Sequence, residues 1–505
     1  MEDICYEIER LLNYAVKKEL IEKDDIIYSR NSIMGVLQLQ EYFYKEITTE
    51  ELDTPSEILD NILDWAEEQK LIEENSITSR DLLDTAIMDC LLPRPSEVIK
   101  KFDERYSIFP KLATDYYYKF SKDSNYIRMD RINKNLEWTC GTPYGDLELT
   151  INLSKPEKDP KAIAAAKNIK SSSYPKCLLC RENEGYSGTL NHPARQNLRL
   201  IPLTLSHEEW FIQYSPYVYY NEHSIIFSSK HVPMKISRSS IEKLLEFTEQ
   251  YPHYFVGSNA DLPIVGGSIL SHDHFQGGRH DFPMAKSHIE KYFDFYGFPS
   301  VSGGIVKWPM SVIRINSESK FELLDLAEKI LNKWRVYSDV ENEILSSSDN
   351  EPHNTITPIA RRRGKLFELD LVLRNNRVSE EHPLGIFHPH TEVHNIKKEN
   401  IGLIEVMGLA ILPGRLKEEL QLLGEYLLKE DYIKLIKEDV NVNKHFDLAT
   451  EVKKKYPDLN KGNIEVVLKE VVGEIFLKVL SHAGVYKDNV NGEKGFKRFL
   501  NFIND

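Results

Sequence analysis

Between about residues 205 and 375 the chain carries the same order of elements twice, and this repetition limits the available folds more than any single residue does. First come extended segments around Trp210–Tyr214 and Ser224–Phe227, a helix opened by the capping box Ser239-Ser240-Ile241-Glu242, and strands near 254–257 and 270–276. Then follow an extended segment at Gly304–Arg314, a helix through Phe321–Trp334, and strands near 353–359 and 366–373. Short strands on either side of one helix predict a duplicated α+β unit. The flanks read differently. Up to about residue 115 the sequence is helical, with Ile4, Ile8, Leu11, Leu12 and Ala15 on one face and Pro93 and Pro95 as punctuation. Leu147–Leu153 alternates with period two, as a half-buried strand does. The polar segment from Ser154 to Tyr174, with Pro156, Pro160 and an Ala-rich helical stretch at 162–166, reads as a connector. The last hundred residues are mostly helical, and their Lys-rich and Glu-rich faces read as solvated surface.

Composition narrows the function classes. The chain has 505 residues, 64 Lys+Arg and 79 Asp+Glu, hence a formal charge of −15. That excess of acid argues against a nucleic-acid backbone binder, which needs clustered positive charge. Five cysteines are too few for a disulfide scaffold and predict a reducing, cytoplasmic setting. The first residues, Met1-Glu2-Asp3-Ile4-Cys5, are acidic where a signal peptide is basic, and no apolar run approaches a bilayer span, so no membrane role is expected. Histidine is distributed unevenly: 14 of 16 fall between His192 and His394, which places the chemistry in that window.

The strongest local signal is Ser271-His272-Asp273-His274-Phe275-Gln276-Gly277-Gly278. In a strand, residues i, i+2 and i+4 share a face, so His272, His274 and Gln276 are expected to project together. The pair Gly266-Gly267 before the motif and Gly277-Gly278 after it would let backbone approach a bulky ligand closely. Neutral imidazole is a competent nucleophile near pH 7 and presents no anionic repulsion to a phosphate. A side-chain amide two residues on can donate to a nonbridging phosphoryl oxygen as charge builds up. No strong base is needed.

The second signal is Cys177-Leu178-Leu179-Cys180. A C-x-x-C in a reducing compartment is half a zinc site, a redox pair, or two ordinary structural cysteines. No second C-x-x-C exists, so any further zinc ligands are histidines or carboxylates. His231, His223 and His272 are the candidates.

Together, Cys177-x-x-Cys180, His231-Val232-Pro233, Asn259-Ala260-Asp261-Leu262-Pro263 and the His272–Gly278 motif resemble the galactose-1-phosphate uridylyltransferases, in the long form found in Gram-positive bacteria. The likeness covers most of the chain. It implies an α+β fold of two histidine-triad-like halves, 141–300 and 301–410, between a mainly helical region 1–140 and a helical region 411–505. It also implies exchange of UMP between UDP-glucose and galactose 1-phosphate. His274 resembles the family nucleophile, and Gln276 the amide on the phosphoryl oxygens. Cys177, Cys180, His231 and His272 resemble the ligands of a structural zinc. Asn259 is similar to a nucleotide-phosphate contact, while Lys398 and Glu405 fall where the family contacts the hexose phosphate. A homodimer is compatible with the resemblance.

Some positions depart from the family pattern. Asp273 stands where the short form of the family has proline between its two histidines. A second family metal site uses a glutamate and three histidines; here Glu290 and His353 match, but Glu368 and Asp370 occupy the other two places. A carboxylate-rich site and no metal are both open. His388-Pro389-His390 copies the short-form string but lacks the glutamine and sits in a Pro/Gly-punctuated loop. Arg361-Arg362-Arg363 reads either as a solvated turn before Gly364 or as a phosphate contact. Two other functions compete: a nucleotide hydrolase or phosphorylase using the same histidine, and a zinc-stabilised binding protein with no catalysis.

Overall fold

The computed structural model describes residues 2–48, 50–72, 75–154 and 174–505. The Ala-rich stretch expected to be helical at 162–166 lies outside the described residues. The chain is mixed α+β and divides by spatial contact into two compact units interleaved along the sequence. One comprises Met1–Lys134, Ser154–Val232 and His272–His274; the other comprises Asn135–Leu153, Pro233–Ser271 and Phe275–Asp505. Among the described residues no helix is long and apolar enough to cross a membrane.

In the first unit, helices precede an antiparallel meander. Helix Glu2–Lys17 buries Ile4, Ile8, Leu11, Leu12 and Ala15, the face its spacing marks out. Helices Pro95–Ile108 and Pro110–Asp123 each open on proline, whose missing N–H costs nothing at a helix start. Phe109 between them is extended, as a residue before proline must be. The meander runs Ile201–Leu205, Glu208–Tyr214, Ser224–Ser228. Tyrosines bind helices to strands: Tyr214 donates its hydroxyl to the Thr114 carbonyl at 3.0 Å, and Tyr126 to the Tyr214 carbonyl at 3.1 Å. Each buries a ring while satisfying its polar tip.

In the second unit, Gln276–Gly278 of the strand His274–Gly278 pairs with Phe255–Gly257, which in turn pairs with Asn354–Arg363. Beyond lie Leu366–Asn375, Val312–Ser317, Ser302–Val306 and Ile289–Tyr292, all antiparallel. Helices Arg238–Gln250 and Lys320–Val336 pack on this sheet. Trp334 fills the centre and donates its indole N–H to the Thr355 and Arg374 carbonyls at 3.0 and 3.1 Å. A smaller sheet joins Leu136–Thr142 to Gly145–Ile151, with Leu409–Leu412 added in parallel. Helices including Leu416–Leu427, Ile464–Ala483 and Val490–Asn504 complete the C-terminal region.

Three local expectations shift. The helix expected to begin at Ser239 is capped by Ser237, whose side chain accepts from Ser240 N while Ser240 reciprocates. Gly304–Arg314 is not one extended segment, because Trp308-Pro309 breaks it into two paired strands. Residues 270–273 are not strand: pairing begins at His274, so His272 is not the first member of an alternating triplet.

Candidate active site and metal centre

His272 stands apart from the strand because its ring belongs to another group. Cys177 and Cys180, His231 just after strand Ser224–Ser228, and His272 place one ligand atom each within 4.8 Å of one another. Cys177 Sγ lies 3.6 Å from Cys180 Sγ and 3.2 Å from His272 Nδ1, while Cys180 Sγ lies 3.2 Å from His231 Nδ1 and 3.8 Å from His272 Nδ1. A tetrahedral zinc, with Zn–S of about 2.3 Å and Zn–N of about 2.0–2.1 Å, sets its ligand atoms roughly 3.4–3.8 Å apart. The donor spacing therefore suits an ion of that size. So does the tautomer: His272 Nε2 donates to the Ser228 carbonyl at 2.8 Å, which leaves the Nδ1 lone pair facing the thiols. A ring N–H anchored on a carbonyl is the usual second support of a metal-bound histidine. His223, also a candidate from sequence, is buried against Tyr219 and Tyr220 and takes no part in the group.

His274 follows two residues later. Its Nδ1 lies 2.8 Å from the His272 carbonyl and donates to it, fixing the tautomer with the lone pair on Nε2. Burial brings its pKa down to about 4, so the ring is neutral. A buried neutral imidazole with a directed Nε2 is equipped as a nucleophile. The same carbonyl-bearing residue thus serves twice, its ring in the thiol group and its backbone on His274.

Gln276 is half-buried, and its backbone pairs with Gly257, two residues before Asn259. Asn259 is buried, and its Oδ1 accepts from Leu403 N at 2.8 Å at the start of the short helix Leu403–Val406. Gly267 lies against the Asn259 amide, where a Cβ would come within 2.7 Å of Nδ2. Glu405 sits in the same helix, with Oε2 accepting from Gly402 N at 3.2 Å and Oε1 held by Lys397 Nζ at 2.9 Å. The structure thus brings Asn259 and Glu405 to one turn. Lys398 is exposed, and the lysine on Glu405 is its buried neighbour Lys397. Lys397, together with Arg374 beneath the same turn, was not read from the sequence. The mixed burial of two adjacent lysines carries no signal in composition or period.

The four residues set out for a second metal do not assemble. Glu368 and Asp370 are buried in a guanidinium network. Arg314 holds Asp370 at 2.6 and 2.9 Å, and Arg361 holds Glu368 at 2.7 Å and Asp370 at 2.6 Å. Burial by itself raises the Asp370 pKa, but Arg361 and Arg314 outweigh it and keep the carboxyl below its usual range. His353 bonds Ser348 Oγ and Asn376 Oδ1 instead. Arg361 is therefore neither a solvated turn nor a phosphate contact; it is an internal ion-pair partner. Among the described residues the other metal-like group is His390, Glu392 and His482. There His390 stacks on His482 at 4.2 Å with planes 17° apart, and His382 stacks on His390 at 3.9 Å. Nearly parallel rings aim their in-plane lone pairs side by side, not at one ion. Of the His388-Pro389-His390 string, His390 belongs to this column, while His388 Nε2 lies 3.2 Å from Asn400 Oδ1.

Residues 19–233 match the family model described as galactose-1-phosphate uridyl transferase, N-terminal domain, and residues 246–449 match its C-terminal domain. The galactose-1-phosphate uridylyltransferase of Halalkalibacterium halodurans is 58% identical over 502 residues, covering 99% of each chain. That of Clostridium acetobutylicum is 56% identical, covering 99% of this chain and 100% of the relative. The Bacillus subtilis protein of that name is 51% identical over 98% of this chain and 97% of its own.

Proposed function

The chain belongs to the galactose-1-phosphate uridylyltransferase family, and on that premise we propose how its residues carry out UMP exchange between UDP-glucose and galactose 1-phosphate. His274 Nε2 forms a bond to the α-phosphorus of UDP-glucose, and the bond from that phosphorus to the glucose 1-phosphate oxygen breaks. A phosphate oxygen of galactose 1-phosphate then attacks the uridylyl-histidine, the P–N bond breaks, and UDP-galactose leaves. Both leaving and attacking groups are phosphates already ionised at neutral pH, so neither displacement needs a general base. This agrees with a nucleophile backed by a carbonyl instead of a carboxylate. While the uridylyl group is attached, the ring carries positive charge. Its Nδ1–H bond to the His272 carbonyl supports that charge, and burial keeps the adduct reactive by disfavouring it. Gln276 donates its amide to a nonbridging phosphoryl oxygen. Asn259, Glu405 and Lys398 hold the phosphate and hexose portions.

Cys177, Cys180, His231 and His272 would hold zinc, which with four protein donors supplies structure and no open coordination position. Its effect on chemistry is indirect, through the His272 backbone. The repeated element order supports reading 141–300 and 301–410 as two related halves. Five free cysteines support a cytoplasmic location.

The observation that carries this reading is the neutral His274 with its tautomer fixed by the residue that closes the thiol group. Incubation with UDP-glucose labelled in the uridylyl phosphate tests it. Label should remain on the protein, be discharged by galactose 1-phosphate, and be absent from His274→Ala. Label on His274→Ala would refute the assignment.

A further inference from the structure

The turn that carries Glu405 rests on a buried guanidinium with no ion-pair partner among the described residues. Arg374 lies on strand Leu366–Asn375 and is 1% exposed, among the largest fully buried side chains of the protein. Its Nη2 donates to the Ile401 carbonyl at 2.9 Å and its Nη1 reaches Thr357 Oγ1 at 3.4 Å, while its buried Nε meets no acceptor. Glu405 is the carboxylate close enough to be felt, and Lys397 already holds it at 2.9 Å. Burial lowers the guanidinium pKa to about 10, which leaves it charged at neutral pH. Glu399 approaches Lys397 only at 3.8 Å and its side chain is 56% exposed, so water screens that contact. His388, which also feels Arg374, has its pKa lowered chiefly by its own burial.

Arg374, Lys397 and Glu405 therefore leave one buried positive charge unmatched under the 397–405 turn. The arginine network on the same sheet is built differently. There the two buried guanidiniums of Arg314 and Arg361 meet two buried carboxylates. A protein that buries an unmatched charge loses stability by it, a cost of the kind retained where function needs it. We propose that Arg374 is a positioning residue for hexose 1-phosphate, a step that rests on the reading of this turn as the sugar-phosphate contact. It fixes the turn through the Ile401 carbonyl and supplies positive potential to a phosphate dianion bound at that turn. It touches no reacting atom.

The test uses the full-length protein and separates the two half-reactions. Uridylyl-protein is prepared with labelled UDP-glucose, and its discharge is followed against galactose 1-phosphate concentration for wild type, Arg374→Met and Arg374→Lys. For Arg374→Met the half-saturating concentration should rise about 10- to 100-fold, the loss expected of a charge-assisted interaction, with a much smaller change in limiting rate. Arg374→Lys, which restores charge without the fork, should recover part of that loss. The melting temperature of Arg374→Met without ligand should stay nearly level, because relief of an uncompensated charge offsets the lost bond to the Ile401 carbonyl. A merely structural arginine predicts the reverse: a lower melting temperature with label uptake and discharge failing in step. That pattern overturns the proposal, as does wild-type discharge by Arg374→Met. If Arg374→Met does not fold, wild-type half-saturation in Arg374→Lys overturns it, and an intermediate value supports it. Wild-type protein that takes no label overturns the underlying reading and this step with it, whereas normal wild-type labelling with unchanged Arg374→Met discharge overturns this step alone.

Discussion

Replacing Cys180 by serine should cost the protein more than its small change in volume suggests. Cys180, His231 and His272 lie on three segments, with His231 51 residues and His272 92 residues beyond the cysteine. An ion on these donors closes one loop from Cys180 to His231 and a second from His231 to His272. Chain-entropy arguments for cross-links assign loops of about 40–50 residues about 4 kcal/mol each, so two loops set a ceiling of about 8 kcal/mol. The unfolded chain retains some metal on its thiols and histidines, which reduces the effect. About 4 kcal/mol is the working figure. At 2–4 °C per kcal/mol for a unit of this size, the melting transition of Cys180→Ser should fall by about 8–16 °C. The assay is thermal unfolding with and without chelator, beside metal analysis of the purified proteins. Wild type should carry one zinc and respond to chelator as it does to the substitution, while Cys180→Ser should carry none and ignore chelator. Label uptake from UDP-glucose should fall in both, because His272 then no longer holds its carbonyl steady against His274 Nδ1. If neither chelator nor substitution moves the transition by more than about 2 °C, these are ordinary structural cysteines and the zinc assignment is wrong.

Gln276→Ala should slow label uptake by about 10²- to 10³-fold, the cost of one oxyanion donor, with label still residing on His274; rapid-quench uptake and site mapping check both. Asp370→Asn should cost about 3–5 kcal/mol in urea unfolding, since it leaves Arg314 and Arg361 short of a buried anion. Because Asp370 titrates below its ordinary value, its stabilisation is complete above the unfolded pKa of about 3.9 and is lost as pH falls through the lower folded value. Unfolding of wild type should steepen with acid there, and that of Asp370→Asn should not. Lys397→Met should lower the melting temperature by taking the hydrogen-bonding ammonium from the buried Glu405 carboxylate, whereas exposed Lys398→Ala should leave it unchanged and raise the half-saturating galactose 1-phosphate several-fold.

How much of this was legible in the sequence depended on whether an interaction is local. The paired strands on either side of one helix were visible because alternation and helical spacing are properties of short windows, and the face of Glu2–Lys17 follows from period alone. Local logic failed where distant partners decide. His272, His274 and Gln276 satisfy a period of two, yet pairing starts only at His274, because the His272 ring turns toward thiols 92 and 95 residues away. Glu368 and Asp370 look like metal ligands by their spacing on one strand. Only the antiparallel register, which sets Arg361 opposite Glu368 and Arg314 opposite Asp370, turns them into ion-pair partners. Arg374 follows the apolar run Leu371-Val372-Leu373, and nothing in the sequence distinguishes it from the arginines that found carboxylates. What distinguishes it is an absence of register: Thr355 lies opposite it on the neighbouring strand, where an acid would have neutralised it. One sheet thus carries two kinds of buried arginine. Those whose charge is matched by cross-strand acids stabilise the fold, and the one whose charge is unmatched is set beneath the turn proposed to receive the substrate's phosphate.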